Sequence, residues 1–373
     1  MRADAPRRFV AVVAAAAWAL LTLVLTLRPI AGAAPGSHWV IAGPEAFVAD
    51  AIANFGFFVP LGALLVLARL RVRQAALAAL LLSAAIELTQ GLGIPGRFAS
   101  LSDLVMNAAG GAFGALLASR AERLLSPSRA EARLLVGGWA AVVAGVLALT
   151  TWLQAPGAPS AAYDGQHAQD WNRERDSTHA VRSARLDGRN FAWGVFSTAN
   201  FANASLAARG LRLDVRVDPG ASTPGVHRIA AVSELGAHYA TLVRLETDGR
   251  DLRFSVRMRG AAYGLHAPFV RLAHALPPPS IAPRAPLELG GARDGAFLAT
   301  WVHDGERTAI AVHHLAPIDG WQFVLPPVIT ARLGSTVLRS CEAVLLLVPL
   351  AWWITCLGFA GRARSDGASS LSS

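Results

Sequence analysis

Six apolar runs, each long enough to cross a bilayer, constrain this chain more than any other feature. They lie at about 9–27, 51–68, 75–92, 103–119, 134–153 and 337–359. A helix needs roughly 20 apolar residues to cross about 30 Å of hydrocarbon. Within lipid every backbone polar group must be paired inside the protein, so such runs fold as helices. Composition agrees. The 373 residues are 53% hydrophobic and 16% charged, and mean hydropathy is +0.41. A soluble domain carries about 25% charged residues. The fold expected is a six-helix membrane bundle with an all-β domain inserted between the last two spans.

Arginine placement sets the orientation. The net charge is +9 and the chain has no lysine. Arg2, Arg7 and Arg8 precede the first span. Arg69, Arg71 and Arg73 join the second to the third, and Arg120, Arg123, Arg129 and Arg133 join the fourth to the fifth. Arg362 and Arg364 follow the sixth. The alternate short loops hold Arg28 and Arg97 alone. Arginine-rich loops stay in the cytoplasm. The chain therefore reads as a multi-pass protein of the inner membrane, with 155–335 outside the cytoplasm and 360–373 as a cytoplasmic tail. Basic residues spread over loops form no nucleic-acid face. The first run also has the elements of a signal peptide, with small residues at Ala31-Gly32-Ala33. Its apolar stretch is long for one, which favours a retained helix.

Polar residues inside spans are costly and mark sites. Asp50 and Asn54 open the second span, Asp103 and Asn107 open the fourth, and each pair is spaced i, i+4 on one face. Glu87 and Gln90, spaced i, i+3, lie in the outer half of the third, and Arg97 sits in the outer loop that follows. All seven fall in one leaflet. Asp103, at a helix start, is also expected to act as an N-cap. A parallel repeat runs through the two Asp–Asn helices: Leu61-Gly62-Ala63-Leu64-Leu65 follows the first pair, and Phe113-Gly114-Ala115-Leu116-Leu117 the second. The register slips by one residue between the copies. Gly110-x-x-x-Gly114 suits close helix packing, and Pro60 frees a backbone carbonyl.

Together, Asp50, Asn54-Phe55, Pro60-Leu61-Gly62, Glu87-x-x-Gln90, Arg97 and Asp103-x3-Asn107-x2-Gly110-x3-Gly114 resemble the VanZ-like membrane family over about 9–120. The resemblance implies a small helical integral-membrane domain, here 1–125, and a family-level link to teicoplanin resistance. It implies no mechanism. The fifth helix at 134–153, the β block at 155–335 and the sixth helix at 337–359 lie outside it.

The β block alternates polar and apolar residues. Leu211–Val217, Arg228–Ser233, Leu242–Glu246, Leu252–Met258, Phe297–Val302 and Thr308–Val312 read as strands. Asp218-Pro219-Gly220, Asp248-Gly249, Asp294-Gly295 and Asp304-Gly305 read as turns, and Pro277-Pro278-Pro279 as a loop. The strand–Asp-Gly–strand order is similar to concanavalin-A-like and laminin-G-like sandwiches, which often bind sugars. Trp171, Trp193, Tyr239, Tyr263, Trp301 and Trp321 are the aromatics available for stacking, with core packing expected for Trp193 and Trp301. Asp164, Asp170 and Asp176 fall in a polar stretch read as a linker. His303, His313 and His314 lack a carboxylate cluster, and His313 and His314 point to opposite faces, so no metal is expected. Cys341 and Cys356 give no zinc motif.

The ligand-binding set is thus Asp50, Asn54, Glu87, Gln90, Arg97, Asp103 and Asn107. It would hold a lipid-linked or glycan component of the envelope, with Arg97 meeting a phosphate or carboxylate. Asp50, Glu87 and Asp103 are the acid/base candidates if the protein is an enzyme acting on a lipid-linked substrate. A third reading makes the same residues helix-bracing contacts in a structural partner of another membrane protein. No serine elbow or phosphate loop favours catalysis, no cofactor is expected, and the partners expected are the lipid bilayer, an envelope glycan or lipid-linked ligand and another membrane protein.

Overall fold

A computed structural model describes residues 4–29, 39–40, 47–157, 163–167, 177–191, 194–196, 210–218, 220, 225–234, 241–278 and 286–369. Trp171, Trp193, Tyr239, Asp170, Asp176 and Ala31-Gly32-Ala33 lie outside these residues. The chain forms two compact units, one of Met1–Gly145 with Ser340–Ser373 and one of Val146–Arg339.

The first unit is helical. It contains α1 (Asp4–Leu27), α2 (Phe47–Leu67), α3 (Val72–Gly91), α4 (Leu101–Ser119) and the short α5 (Ala121–Leu125). The helix α6 (Arg129–Leu153) follows. Among the described residues six helices are long and apolar enough to cross a membrane, and they coincide with the six expected runs. The last helix extends to Ser369, well past the expected end at 359. Ala360, Arg362, Ala363 and Arg364 are good helix formers, and no proline stops them.

Glycine decides how α2 and α4 meet. A Cβ on Gly110 would fall 2.1 Å from the Phe55 carbonyl oxygen, and one on Gly114 would fall 1.9 Å from that of Val59. From the other side, a Cβ on Gly62 would fall 1.8 Å from the Gly111 carbonyl oxygen. The two repeat helices therefore touch backbone to backbone. Phe58, Leu61, Ala79 and Ile86 form the buried core beside this seam, with Trp18 and Leu23 of α1 packed on it.

The chain entering α2 and the chain entering α4 also pair. Strand β1 (Trp39–Val40) lies parallel to β2 (Ala99–Ser100). Two residues per strand are too few to leave a periodic signal in the sequence.

Prolines in two spans are answered in one way. Pro60 interrupts α2, and the Trp18 indole N–H donates to the Phe57 carbonyl, three residues before it, at 3.0 Å. Pro349 interrupts the last helix, and Trp139 donates to the Leu346 carbonyl, again three residues before it, at 2.7 Å. Proline removes the N–H that would reach the carbonyl four residues before it, that of Gly56 or Leu345, and in each case an indole from a neighbouring helix bonds the next carbonyl along. Trp352 and Trp353 add bonds to the Leu125 and Leu124 carbonyls.

The second unit is a pair of six-stranded antiparallel sheets. The first sheet runs β11 (Phe269–Leu272), β10 (Asp251–Val256), β9 (Thr241–Asp248), β8 (Val226–Glu234), β3 (Tyr163–His167), β6 (Gly194–Phe196). The second runs β14 (Thr308–His314), β13 (Phe297–His303), β12 (Leu287–Asp294), β7 (Gly210–Val217), β4 (Val181–Leu186), β5 (Arg189–Phe191). Short helices α7 (Trp321–Val324) and α8 (Pro327–Leu333) lead to the last span, α9 (Ser335–Ser369).

Alternation places Leu213 and Val215 of one sheet in a core with Leu245 and Phe254 of the other. The Phe254 ring fills the space above Gly291, where a Cβ would come within 2.1 Å. Three hairpins fall at expected turns, with positive φ at Gly249, Gly295 and Gly305, whereas the β4–β5 hairpin turns at Asp187-Gly188, which is not among the expected turns. The stretch read as a linker is in part structured: Asp164 lies in β3, inside the first sheet. Its Gly and polar content hid the strand.

Candidate functional site

The site is built where three chain segments meet at one end of the helical unit. Ser100 closes β2 and is the N-cap of α4, its Oγ accepting from the Asp103 N–H at 3.4 Å. The Ser100 N–H in turn donates to Glu87 Oε2 at 2.7 Å. Glu87, on α3, is 4% exposed. Ser100 Oγ lies 2.7 Å from Ser102 Oγ, and Ser102 donates to Asp103 Oδ1 at 3.3 Å. The Asn54 side chain and the Asp50 carboxylate both lie within interaction range of Asp103. Asp103 in turn lies within range of Glu87. Asp50, Asn54, Glu87 and Asp103 thus gather with Ser100 and Ser102.

The capping role expected of Asp103 belongs to Ser100. Asp103 sits three residues further in, the acidic position of a Ser-x-x-Asp start. That motif was visible in Ser100-Leu101-Ser102-Asp103 and would have drawn both serines into the site. Asp50 and Asp103 occupy the first turns of α2 and α4, where the positive ends of the helix dipoles favour carboxylates. Among the described residues no arginine accounts for the charge of Asp50, Glu87 or Asp103.

Residues 10–124 match the VanZ/LLP1 family. No curated protein matches the chain, and no solved structure does. The match ends within α5, so the VanZ-like segment comprises the first four spans, and the sandwich lies beyond it.

Three expected residues of the VanZ-like segment stand apart from the carboxylates. Asn107 is buried one turn deeper on α4, where its Nδ2 donates to Ser83 Oγ at 2.9 Å. Its Oδ1 meets no partner among the described residues. Gln90 donates to the Thr26 carbonyl at 2.9 Å. Arg97 donates to the Leu25 and Arg28 carbonyls, both at 3.2 Å. These two residues satisfy the C-terminal end of α1, whose last carbonyls have no partner within the helix. Partial burial draws the pKa of Arg97 down from its usual value.

In the sandwich, Trp301 is not a core residue. Leu298, Thr300 and Val302 take the inward positions of β13, and Trp301 faces outward. Its ring lies over Gly290, and the Arg212 guanidinium stacks on it at 4.7 Å while pairing with Asp214. The three histidines are held separately. His303 bonds to Thr308 at 3.0 Å, His314 stacks on Phe297, and His313 contacts Gln322 at 2.7 Å. Burial draws His313 below the ordinary histidine range, against the pull of Asp319.

Proposed function

We propose that the VanZ-like segment holds the polar head of a membrane-associated envelope component, lipid-linked or glycan, at the end of the bundle. The observation that carries this reading is the gathering of Asp50, Glu87 and Asp103 with Asn54, Ser100 and Ser102, without a paired arginine among the described residues. Carboxylates accept from hydroxyls and amines, so the site suits a sugar or amine-bearing head better than a phosphate. Gln90 and Arg97 complete it indirectly by fixing α1. Glu87 is the key residue, because a buried carboxylate within a span is costly unless it serves a partner.

The arginine pattern supports an inner-membrane orientation with 155–335 outside the cytoplasm. We read the sandwich as concanavalin-A-like or laminin-G-like, recognising envelope glycan or protein. Its two antiparallel sheets and the outward Trp301 support that reading.

Complementation of a deletion strain tests the site. Glu87→Gln and Asp103→Asn retain the hydrogen-bonding shape and lose the charge. Loss of the envelope phenotype with normal accumulation and melting is the expected result. Full complementation by the double variant would refute a role for the charges.

A further inference from the structure

A second polar site lies within the Val146–Arg339 unit, where span five ends. A cavity of about 430 Å³ is lined by Thr151, Gln154, Arg259, Arg293, Ala296 and Pro317, among others, and among the described residues no Asp or Glu lines it. That volume falls in the range of small-molecule sites, about 300–1,000 Å³.

The chain makes this cavity deliberately rigid. Beyond Leu153, Pro156 bridges to Met258, and the Arg259 N–H donates to the Ala155 carbonyl at 2.9 Å. Gln154 Nε2 donates to the Ala316 carbonyl at 2.8 Å. Arg293, 5% exposed, donates from Nη2 to the Gln154 carbonyl at 2.7 Å and from Nε to the Gly295 carbonyl at 3.1 Å. Its guanidinium is therefore fixed at the cavity wall by main-chain oxygens.

The surroundings are those of a membrane interface. Trp152, in the last turn of α6, packs against Tyr263 with ring centroids 5.5 Å apart. The exposed Arg259 guanidinium lies 5.3 Å from the Trp152 ring. Tryptophan and tyrosine gather at the level of lipid headgroups, and a cation held over an indole face stays positioned without losing its charge. Two guanidiniums, one fixed at the wall and one exposed over an indole, beside an interfacial aromatic pair suit a phosphate monoester or diester at the bilayer surface.

We infer that this cavity binds a phosphate group presented at the membrane surface by an anionic lipid headgroup. The site is separate from the carboxylate cluster and does not depend on the function proposed for it. Full-length protein in neutral detergent can be titrated by calorimetry with dihexanoyl phosphatidate, with dihexanoyl glycerol and with inorganic phosphate. The phosphatidate should bind at least about tenfold more tightly than either of the others. Arg259→Gln should weaken it at least tenfold at unchanged melting temperature, because Arg259 is exposed. Arg293→Lys, which retains charge without the planar fork, should also weaken it, and Arg259→Gln decides the matter if the lysine variant misfolds. Inorganic phosphate binding as tightly as phosphatidate would overturn the lipid as the source of the phosphate. Absence of binding by both, or binding unaffected by Arg259→Gln, would overturn the site.

Discussion

Glu87 and Ser100, from α3 and from the strand that starts α4, are joined by a 2.7 Å bond from the Ser100 amide to Glu87 Oε2. Ser100 caps α4 with its side chain, so its own amide needs an outside acceptor. One carboxylate oxygen thereby fixes the start of the helix that carries Asp103 and Asn107.

This geometry separates two substitutions. Glu87→Gln keeps an oxygen for the Ser100 amide and should leave thermal stability nearly unchanged. Glu87→Ala strands a buried donor and should cost about 1–3 kcal/mol. Thermal unfolding of the purified protein in detergent compares them. Equal losses would mean that the charge, not the acceptor, holds α4.

Two glycines of the bundle should respond to alanine with opposite signs. Gly114 meets the Val59 carbonyl, whereas a Cβ on Gly56 has nothing within 4 Å. Gly114→Ala should destabilise by about 1–3 kcal/mol through overpacking. Gly56→Ala should stabilise by up to about 1 kcal/mol through helix propensity. Melting curves of the two variants provide the check, and a harmless Gly114→Ala would deny the backbone contact between α2 and α4.

The bond from Trp139 to the carbonyl before Pro349 should be worth about 0.5–1.5 kcal/mol. Trp139→Phe removes the indole N–H while keeping an aromatic ring against Trp353, so its melting temperature sets an upper bound on the hydrogen bond. No change would mean that the Leu346 carbonyl does not need the donor.

The spans were legible because length and hydropathy alone dictate a helix in lipid. Three hairpins were legible because glycine takes positive φ at 249, 295 and 305, while the one at Asp187-Gly188 was not read. Ser100 was legible as a Ser-x-x-Asp start and was overlooked beside the acidic residue. The bonds from Gln90 and Arg97 to α1 were not legible, since they are side-chain bonds to backbone across more than 60 positions. Trp301 misled because hydrophobicity suggests burial, while the pleat assigns Thr300 inward and leaves room for the indole over Gly290. The strand containing Asp164 was masked by its polar composition.

The sandwich should be acid-sensitive. Burial lowers the pKa values of His179, His266 and His313 below the usual histidine value. Each folded pKa lies below the unfolded value of about 6.5, so protonation favours unfolding. The stability these groups allow is fully present above pH about 6.5 and is lost as pH falls below it. The β-sheet circular dichroism signal of full-length protein should therefore melt at lower temperature at pH 5.5 than at pH 7.5. His179→Gln should flatten that difference in part. A profile that does not fall between these values would contradict the assignment.

If the carboxylate cluster of the VanZ-like segment holds the head of a membrane-associated envelope component, that component should remain on the protein when it is extracted from its own membrane, and native mass spectrometry would detect it. Wild type should retain a bound species carrying a sugar or amine head, and Glu87→Gln with Asp103→Asn should lose that species while melting normally. An identical set of bound species on both proteins would contradict the claim and leave the cluster as a brace between helices.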